Sequence, residues 1–174
     1  GGTMSVMYSS VHPEMVHGLI TVCSPLDFGG ETGMLGSWSR KENFDVDRLV
    51  DDIGNIPGEF LNGGYLLLDP VNNLYTKYVK FLDSVEDTQF VEMFARMERW
   101  VNDGIPLAGE AFREFIRWTY QEDRLMSGDI VLGGRRVDPQ NIRSPLLNIM
   151  GTYDHLVPPG MSRPTAYRHW LEVM

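Results

Sequence analysis

Asp154 stands in the stretch Gly151-Thr152-Tyr153-Asp154-His155-Leu156-Val157-Pro158-Pro159, directly after the apolar run Pro145 to Met150. A carboxylate just past the end of a buried strand projects into the crevice where open α/β sheets place their sites. There it could orient a histidine that activates a nucleophile, in the chain order nucleophile, acid, histidine. The same aspartate could instead turn the chain or cap the helix expected after Pro158-Pro159, and the residues alone leave both readings open. A nucleophile would have to lie upstream on a tight strand-to-helix turn flanked by small residues. No G-x-S-x-G occurs, but Gly1-Gly2 lead straight into a helical stripe and read as the downstream half of such an elbow. The reactive residue is then expected just ahead of Gly1.

The remaining candidates carry less. Cys23 ends an apolar run with no charged or histidine neighbour, the setting of an inert small hydrophobe rather than a nucleophile. His12 sits at an expected helix end, His17 at the start of an expected strand, and His169 on an expected helix with no partner at metal spacing. His155 follows Asp154 directly, so their side chains are expected to diverge. No H-E-x-x-H or comparable spacing occurs, so no metal is expected. Arg135-Arg136 beside Gly133-Gly134 could hold a phosphate or simply face solvent.

These residues need elements to position them. Met4, Met7, Tyr8 and Val11 form a helical stripe over Thr3 to His12, and Val16 to Cys23 reads as a strand covered on both faces. From about Gly29 to Gln121 the texture is helical. Stripes begin at Asp45 (Val46, Leu49, Val50, Ile53), Pro70 (Leu74, Tyr78, Phe81), Asp87 or Thr88 (Phe90, Phe94, Met97, Val101) and Glu110 (Phe112, Phe115, Ile116, Thr119). This block holds 14 of the 19 aromatic residues, as the core of a helical module or as an apolar channel. Ile130 to Leu132 and Arg135 to Val137 flank a Gly-Gly hairpin turn, Pro145 to Met150 forms a buried strand, and Ser162-Pro164 opens a helix with Ala166, Tyr167, Trp170 and Leu171 on one side. About 120 residues separate the two strands, far more than the ~30 of a single crossover unit. The predicted fold is therefore α/β, a parallel sheet carrying an inserted helical lid. Residues 1–28 and 126–174 form the core and residues 29–125 the cap.

Composition limits the partners. The 174 residues fit one domain or a large piece of one, and the net charge of −9 disfavours nucleic acid and anionic lipid. Twelve arginines against three lysines on an acidic chain suit a salt-rich cytoplasm. A single cysteine removes any internal disulfide or multi-cysteine zinc site. No apolar run approaches the ~20 residues of a membrane span, and no signal peptide is recognisable, so a soluble cytoplasmic protein is expected. The Gly1-Gly2 start and a helical pattern running into Met174 predict an internal fragment.

Four stretches together resemble the polyhydroxyalkanoate synthases: GGTMSVMYSSVHPEMV at the start, SPLDF at Ser24 to Phe28, GGRRVDPQNIRSPLLNIMG at Gly133 to Gly151, and YDHLVPP at Tyr153 to Pro159. The likeness is greatest to the class III catalytic subunit, and DPVNNLYTKYVKF and FVEMFARMERWV are similar to its haloarchaeal branch. The resemblance implies a partial α/β-hydrolase fold and a Cys-His-Asp triad of which Asp154 is the acid. The elbow cysteine of its G-x-C-x-G-G motif would precede Gly1, and the histidine would follow Met174. It implies transfer of (R)-3-hydroxyacyl groups from coenzyme A thioesters to a growing polyester, without a further cofactor, at cytoplasmic polymer granules. A homodimer and a class III companion subunit are the implied protein partners. The 174 residues alone are expected to be inactive. A lidded esterase or epoxide hydrolase, with serine or aspartate at the elbow, and a non-catalytic helical interaction module are the competing expectations.

Overall fold

The structure, a computed structural model, describes residues 1–30, 32–163 and 170–173. The chain divides into two compact units, Gly1–Val46 with Glu114–Met174, and Asp47–Arg113.

The first unit is built on a parallel sheet in the order β1-β4-β5, from β1 (Leu19–Val22), β4 (Leu146–Ile149) and β5 (Trp170–Val173). Leu19 is in register with Leu146, and Leu146 with Trp170. Helix α1 (Gly2–Val11) places Val6 against Leu19, Leu26, Ile142 and Leu146, all buried. Met7, one position on, joins a second cluster with Phe28, Leu125, Ile130, Val137 and Met161. The short strands β2 (Val131–Leu132) and β3 (Arg135–Arg136) pair around Gly133 and Gly134, both at positive φ as a two-residue hairpin turn requires. Helix α2 (Gly33–Ser39) follows the loop after β1. The later helices of this unit, α8 (Arg124–Ser127) and α9 (Pro159–Ser162), are single turns.

The second unit is helical. It takes in α3 (Val46–Ile53), α4 (Gly58–Leu68), a π-helical turn Val71–Thr76, α5 (Lys77–Asp83), α6 (Thr88–Asn102) and the start of α7 (Gly109–Ile116). Asp87 caps α6 by accepting the Phe90 N–H at 3.0 Å. Phe81, Phe90, Tyr78 and Phe94 pack ring against ring, Phe81 and Phe94 at 4.4 Å. Arg113 closes the unit by reaching Asp47, Asp51 and Glu110 at 3.3, 2.6 and 3.2 Å. Other aromatics stay out of the core: Trp100 and Tyr75 are 72% and 71% exposed. The abundance of rings in the helical block is thus only partly a matter of packing.

Three expectations are corrected. β1 is covered on one face only, with Ile20 and Val22 66% and 60% exposed, because α1 packs against the Leu19 side. The helix expected to run from Ser162 past Leu171 is not formed at its far end. Trp170 and Leu171 lie in β5, where pairing with β4 outweighs the helical spacing, while Ala166, Tyr167 and His169 lie outside the described residues. His17 precedes β1 rather than opening it, and is exposed. Helices α2 and α4 had no counterpart in the sequence reading, since glycines at 33, 36, 58, 63 and 64 lower their helical propensity.

Candidate active site

The strands β1 and β4 end side by side, and each is followed by a loop that begins the candidate site. After β4 the chain turns at Gly151, whose carbonyl accepts the Asp154 N–H at 3.2 Å. The half-buried Asp154 carboxylate then accepts the N–H groups of Leu156 and Val157, both through Oδ1 and both at 2.9 Å. Among the described residues its side chain makes no other hydrogen bond, so Oδ2 can receive a further donor. The turn-shaping reading of Asp154 is seen directly in the two hydrogen bonds to Oδ1. His155 is exposed and, among the described residues, makes no hydrogen bond to Asp154.

A buried polar network fixes this loop to the sheet. Thr21 Oγ1 donates to Asn148 Oδ1 at 2.9 Å across the strand pair, and Asn148 Nδ2 donates to the Ser162 carbonyl at 2.5 Å. Ser162 Oγ donates in turn to the Ser24 carbonyl at 2.6 Å, while the Met161 carbonyl accepts from Leu26 and Asp27 at 2.8 and 2.9 Å. The three side chains of the network, Thr21, Asn148 and Ser162, are all buried, so each hydrogen bond excludes water and any loss leaves a group unpaired. The sequence reading missed these residues, although a lone asparagine in the apolar run PLLNIM was a signal.

The start of α1 abuts the same loop. A Cβ on Gly2 would lie 1.8 Å from Ser24 Oγ, so only glycine permits this approach, and Thr3 Oγ1 donates to the Pro25 carbonyl at 2.7 Å. The first turn of α1, the loop after β1 and α9 are therefore joined by direct contacts.

Cys23 follows β1 at φ 45°, in the left-handed region that disfavours a residue with a Cβ, and its N–H donates to the Ile149 carbonyl at 2.8 Å. The next helix, α2, begins only at Gly33, so Cys23 does not sit on a tight strand-to-helix elbow. Asp123, absent from the sequence candidates, also adopts a left-handed conformation, at φ 47°. Its Oδ1 accepts the Phe28 N–H at 3.0 Å. Burial, with the charge of Asp27 adding to it, holds this carboxyl above the usual aspartate range despite the Phe28 hydrogen bond.

Arg135 and Arg136 are engaged locally. Arg135 donates to the Val11 carbonyl at 3.1 Å and contacts His12 Nδ1, and Arg136 Nε donates to the Gly128 carbonyl at 2.5 Å. Their placement favours a structural role over phosphate binding. Among the described residues no three His, Cys, Asp or Glu side chains are grouped to hold a metal, and no helix is long and apolar enough to cross a membrane.

The chain matches the alpha/beta hydrolase fold family over residues 1–168. It is 43% identical over 164 residues to the poly(3-hydroxyalkanoate) polymerase subunit PhaC of Haloferax mediterranei, covering 94% of this chain and 33% of that protein. The subunits of the same name from Haloarcula marismortui and Allochromatium vinosum are 44% and 45% identical, again over 94% of this chain and over 34% and 45% of theirs. The chain thus spans between a third and just under half the length of these curated relatives.

Proposed function

From the premise that the chain belongs to the alpha/beta hydrolase fold family, we propose that it is the acid-bearing part of a poly(3-hydroxyalkanoate) polymerase. The full protein would transfer (R)-3-hydroxyacyl groups from coenzyme A thioesters to a growing polyester. The observation that carries this reading is 43–45% identity to three polymerase subunits across nearly the whole chain.

In this reading Asp154 Oδ2 accepts the Nδ1–H of the triad histidine, whose Nε2 takes the proton of the triad cysteine, and both partners come from outside these 174 residues. The thiolate attacks the thioester carbonyl carbon, and the bond to the coenzyme A sulfur breaks as that sulfur receives the proton. The 3-hydroxyl end of the polymer or of a second monomer then attacks the acyl cysteine, giving its proton to the histidine and releasing the thiolate. An aspartate held by two backbone N–H groups keeps a fixed geometry through both half-reactions, which supports its assignment as the orienting acid. An alternative role for Asp154 within the same proposal is to help activate the 3-hydroxyl.

Residues 29–125 would form the cap that excludes water from the acyl enzyme. The separate helical unit Asp47–Arg113 and its exposed aromatic side chains support this assignment. Homodimer formation, a companion subunit and residence at cytoplasmic polymer granules belong to the same proposal and rest on the class III likeness.

The test is to supply the full-length parent with (R)-3-hydroxybutyryl coenzyme A and to follow both released thiol and insoluble polyester. Thiol release with matching polymer supports the reading. Thiol release with free hydroxy acid and no polymer would instead indicate a hydrolase.

A further inference from the structure

The loop after β1 presents two consecutive carbonyls, those of Ser24 and Pro25, and each accepts a hydrogen bond from a different helix. Ser162 Oγ, at the end of α9, donates to the Ser24 carbonyl at 2.6 Å, and Thr3 Oγ1, in the first turn of α1, donates to the Pro25 carbonyl at 2.7 Å. Both hydroxyl-bearing residues are buried, Ser162 at 0% and Thr3 at 3% exposure, so water cannot take over either bond. The proline ring of Pro25 fixes φ between the two carbonyls and stiffens the piece of chain that the helices share.

Neither side of this clamp has slack. The head of α1 touches the loop directly at Gly2, where a Cβ would lie 1.8 Å from Ser24 Oγ. On the other side the Met161 carbonyl accepts the N–H groups of Leu26 and Asp27, and Asn148 holds the Ser162 carbonyl from β4. From Ser162 back to the Asp154 turn the path is one helical turn that begins at Pro158-Pro159, closed by the Met161 N–H donating to the Pro158 carbonyl at 2.8 Å. Asp154 grips the near end of that path through the Leu156 and Val157 N–H groups. A shift at Ser162 therefore passes to the carboxylate instead of being absorbed by a loose loop.

In the acyl-transfer reading the nucleophile stands just ahead of α1 and the acid just ahead of α9, so the clamp joins the two elements that carry them. We infer that Thr3 and Ser162 are positioning residues for that reaction: by gripping neighbouring carbonyls of one loop, their hydroxyls set the distance from the nucleophile's helix to the Asp154 carboxylate. Neither hydroxyl is a reacting group, and each acts through the Ser24-Pro25 segment. The histidine between acid and nucleophile must reach both at once, and a misplacement of ~1 Å costs about 10²-fold in rate. The inference rests on the acyl-transfer reading above.

The experiment follows coenzyme A release from (R)-3-hydroxybutyryl coenzyme A by the full-length parent and three variants, with the folding of each checked by thermal melting. Ser162→Ala removes one grip and keeps the bond from Asn148 to the Ser162 carbonyl, and Thr3→Val removes the other grip. Each should lower kcat about tenfold or more with KM little changed. Each should also move the histidine limb of the pH profile of kcat/KM to lower pH, because a more distant carboxylate favours the protonated imidazole less. Thr119→Val loses an equally buried hydroxyl bond outside the clamp, to the Phe115 carbonyl at 2.6 Å, and should lower the melting temperature while leaving kcat and the limb in place. One folded variant of the clamp suffices for the comparison. Parental kcat and an unmoved limb in folded Ser162→Ala or Thr3→Val overturn the inference and leave the acyl-transfer reading standing. An equal loss of kcat in Thr119→Val would trace the effect to general destabilisation and overturn it too. If the unaltered parent releases no coenzyme A, the acyl-transfer reading fails first and the inference with it.

Discussion

Asn148 and Ser162, on β4 and at the end of α9, are joined by a hydrogen bond from Nδ2 to the Ser162 carbonyl, and both residues have 0% exposure. Asn148→Leu would remove the partner of that carbonyl and of the Thr21 hydroxyl while keeping the volume. Each group left unpaired in the core costs about 1–3 kcal/mol. With two groups unpaired, urea unfolding of the variant should show a loss of about 2–6 kcal/mol. A loss under ~0.5 kcal/mol would mean that the network does not hold the acid loop.

Cys23 lies at φ 45° with its side chain half-buried. A β-branched side chain tolerates this conformation worse than cysteine, and glycine adopts it freely. Cys23→Val should therefore lower stability by about 1 kcal/mol or more, and Cys23→Gly should be close to neutral. In the full-length protein Cys23→Ala should leave acylation intact. Abolished acylation in a folded variant would make Cys23 the nucleophile.

Asp123 gives a pH signature. Its folded carboxyl titrates above the ordinary range because burial and then Asp27 disfavour the charge, the Phe28 N–H offsetting this only in part. For an acid shifted upward, the favourable contribution is complete below the unfolded pKa and is lost as pH rises through the folded one. Asp123→Asn keeps an oxygen for the Phe28 N–H, suits the left-handed backbone and carries no charge. Its melting temperature should exceed that of the parent at pH 7, and the gain should vanish below about pH 4. A gain that persists at pH 3 would assign the effect to the backbone instead.

Arg113 bridges Asp47, Asp51 and Glu110, and its hydrogen bond to Asp51 leads the interactions that hold its guanidinium above its usual pKa. A lysine cannot reach three carboxylates in the same fork-like geometry. Arg113→Lys should lower the melting temperature, and more in dilute buffer than in 1 M salt, where the exposed partners are screened. An equal drop in both would point to lost packing.

Strand β4 and the placement of Asp154 after it were legible for local reasons. PLLNIM is short, apolar and followed by a glycine turn, so β4 and the position of Asp154 follow from pattern alone, as does the Gly133-Gly134 hairpin. The residues that hold the loop were not legible in the same way. The partners of Asn148, Thr21 and Ser162, are far apart in sequence, and only parallel pairing of β1 with β4 brings them together. At the C-terminal end, Trp-Leu-Glu-Val satisfies a helical or an extended pattern over four residues, and sheet pairing decides it.

The central claim is that Asp154 serves catalysis through Oδ2 while Oδ1 holds its turn. Asp154→Asn retains an oxygen for the Leu156 and Val157 N–H groups and loses only the charge, whereas Asp154→Ala loses the turn as well. The decisive measurement is the rate of polyester formation by full-length Asp154→Asn, taken beside its melting temperature. The account predicts a fall of about 10³-fold or more with melting unchanged. Polymerisation near the parental rate in a folded Asp154→Asn protein would contradict it.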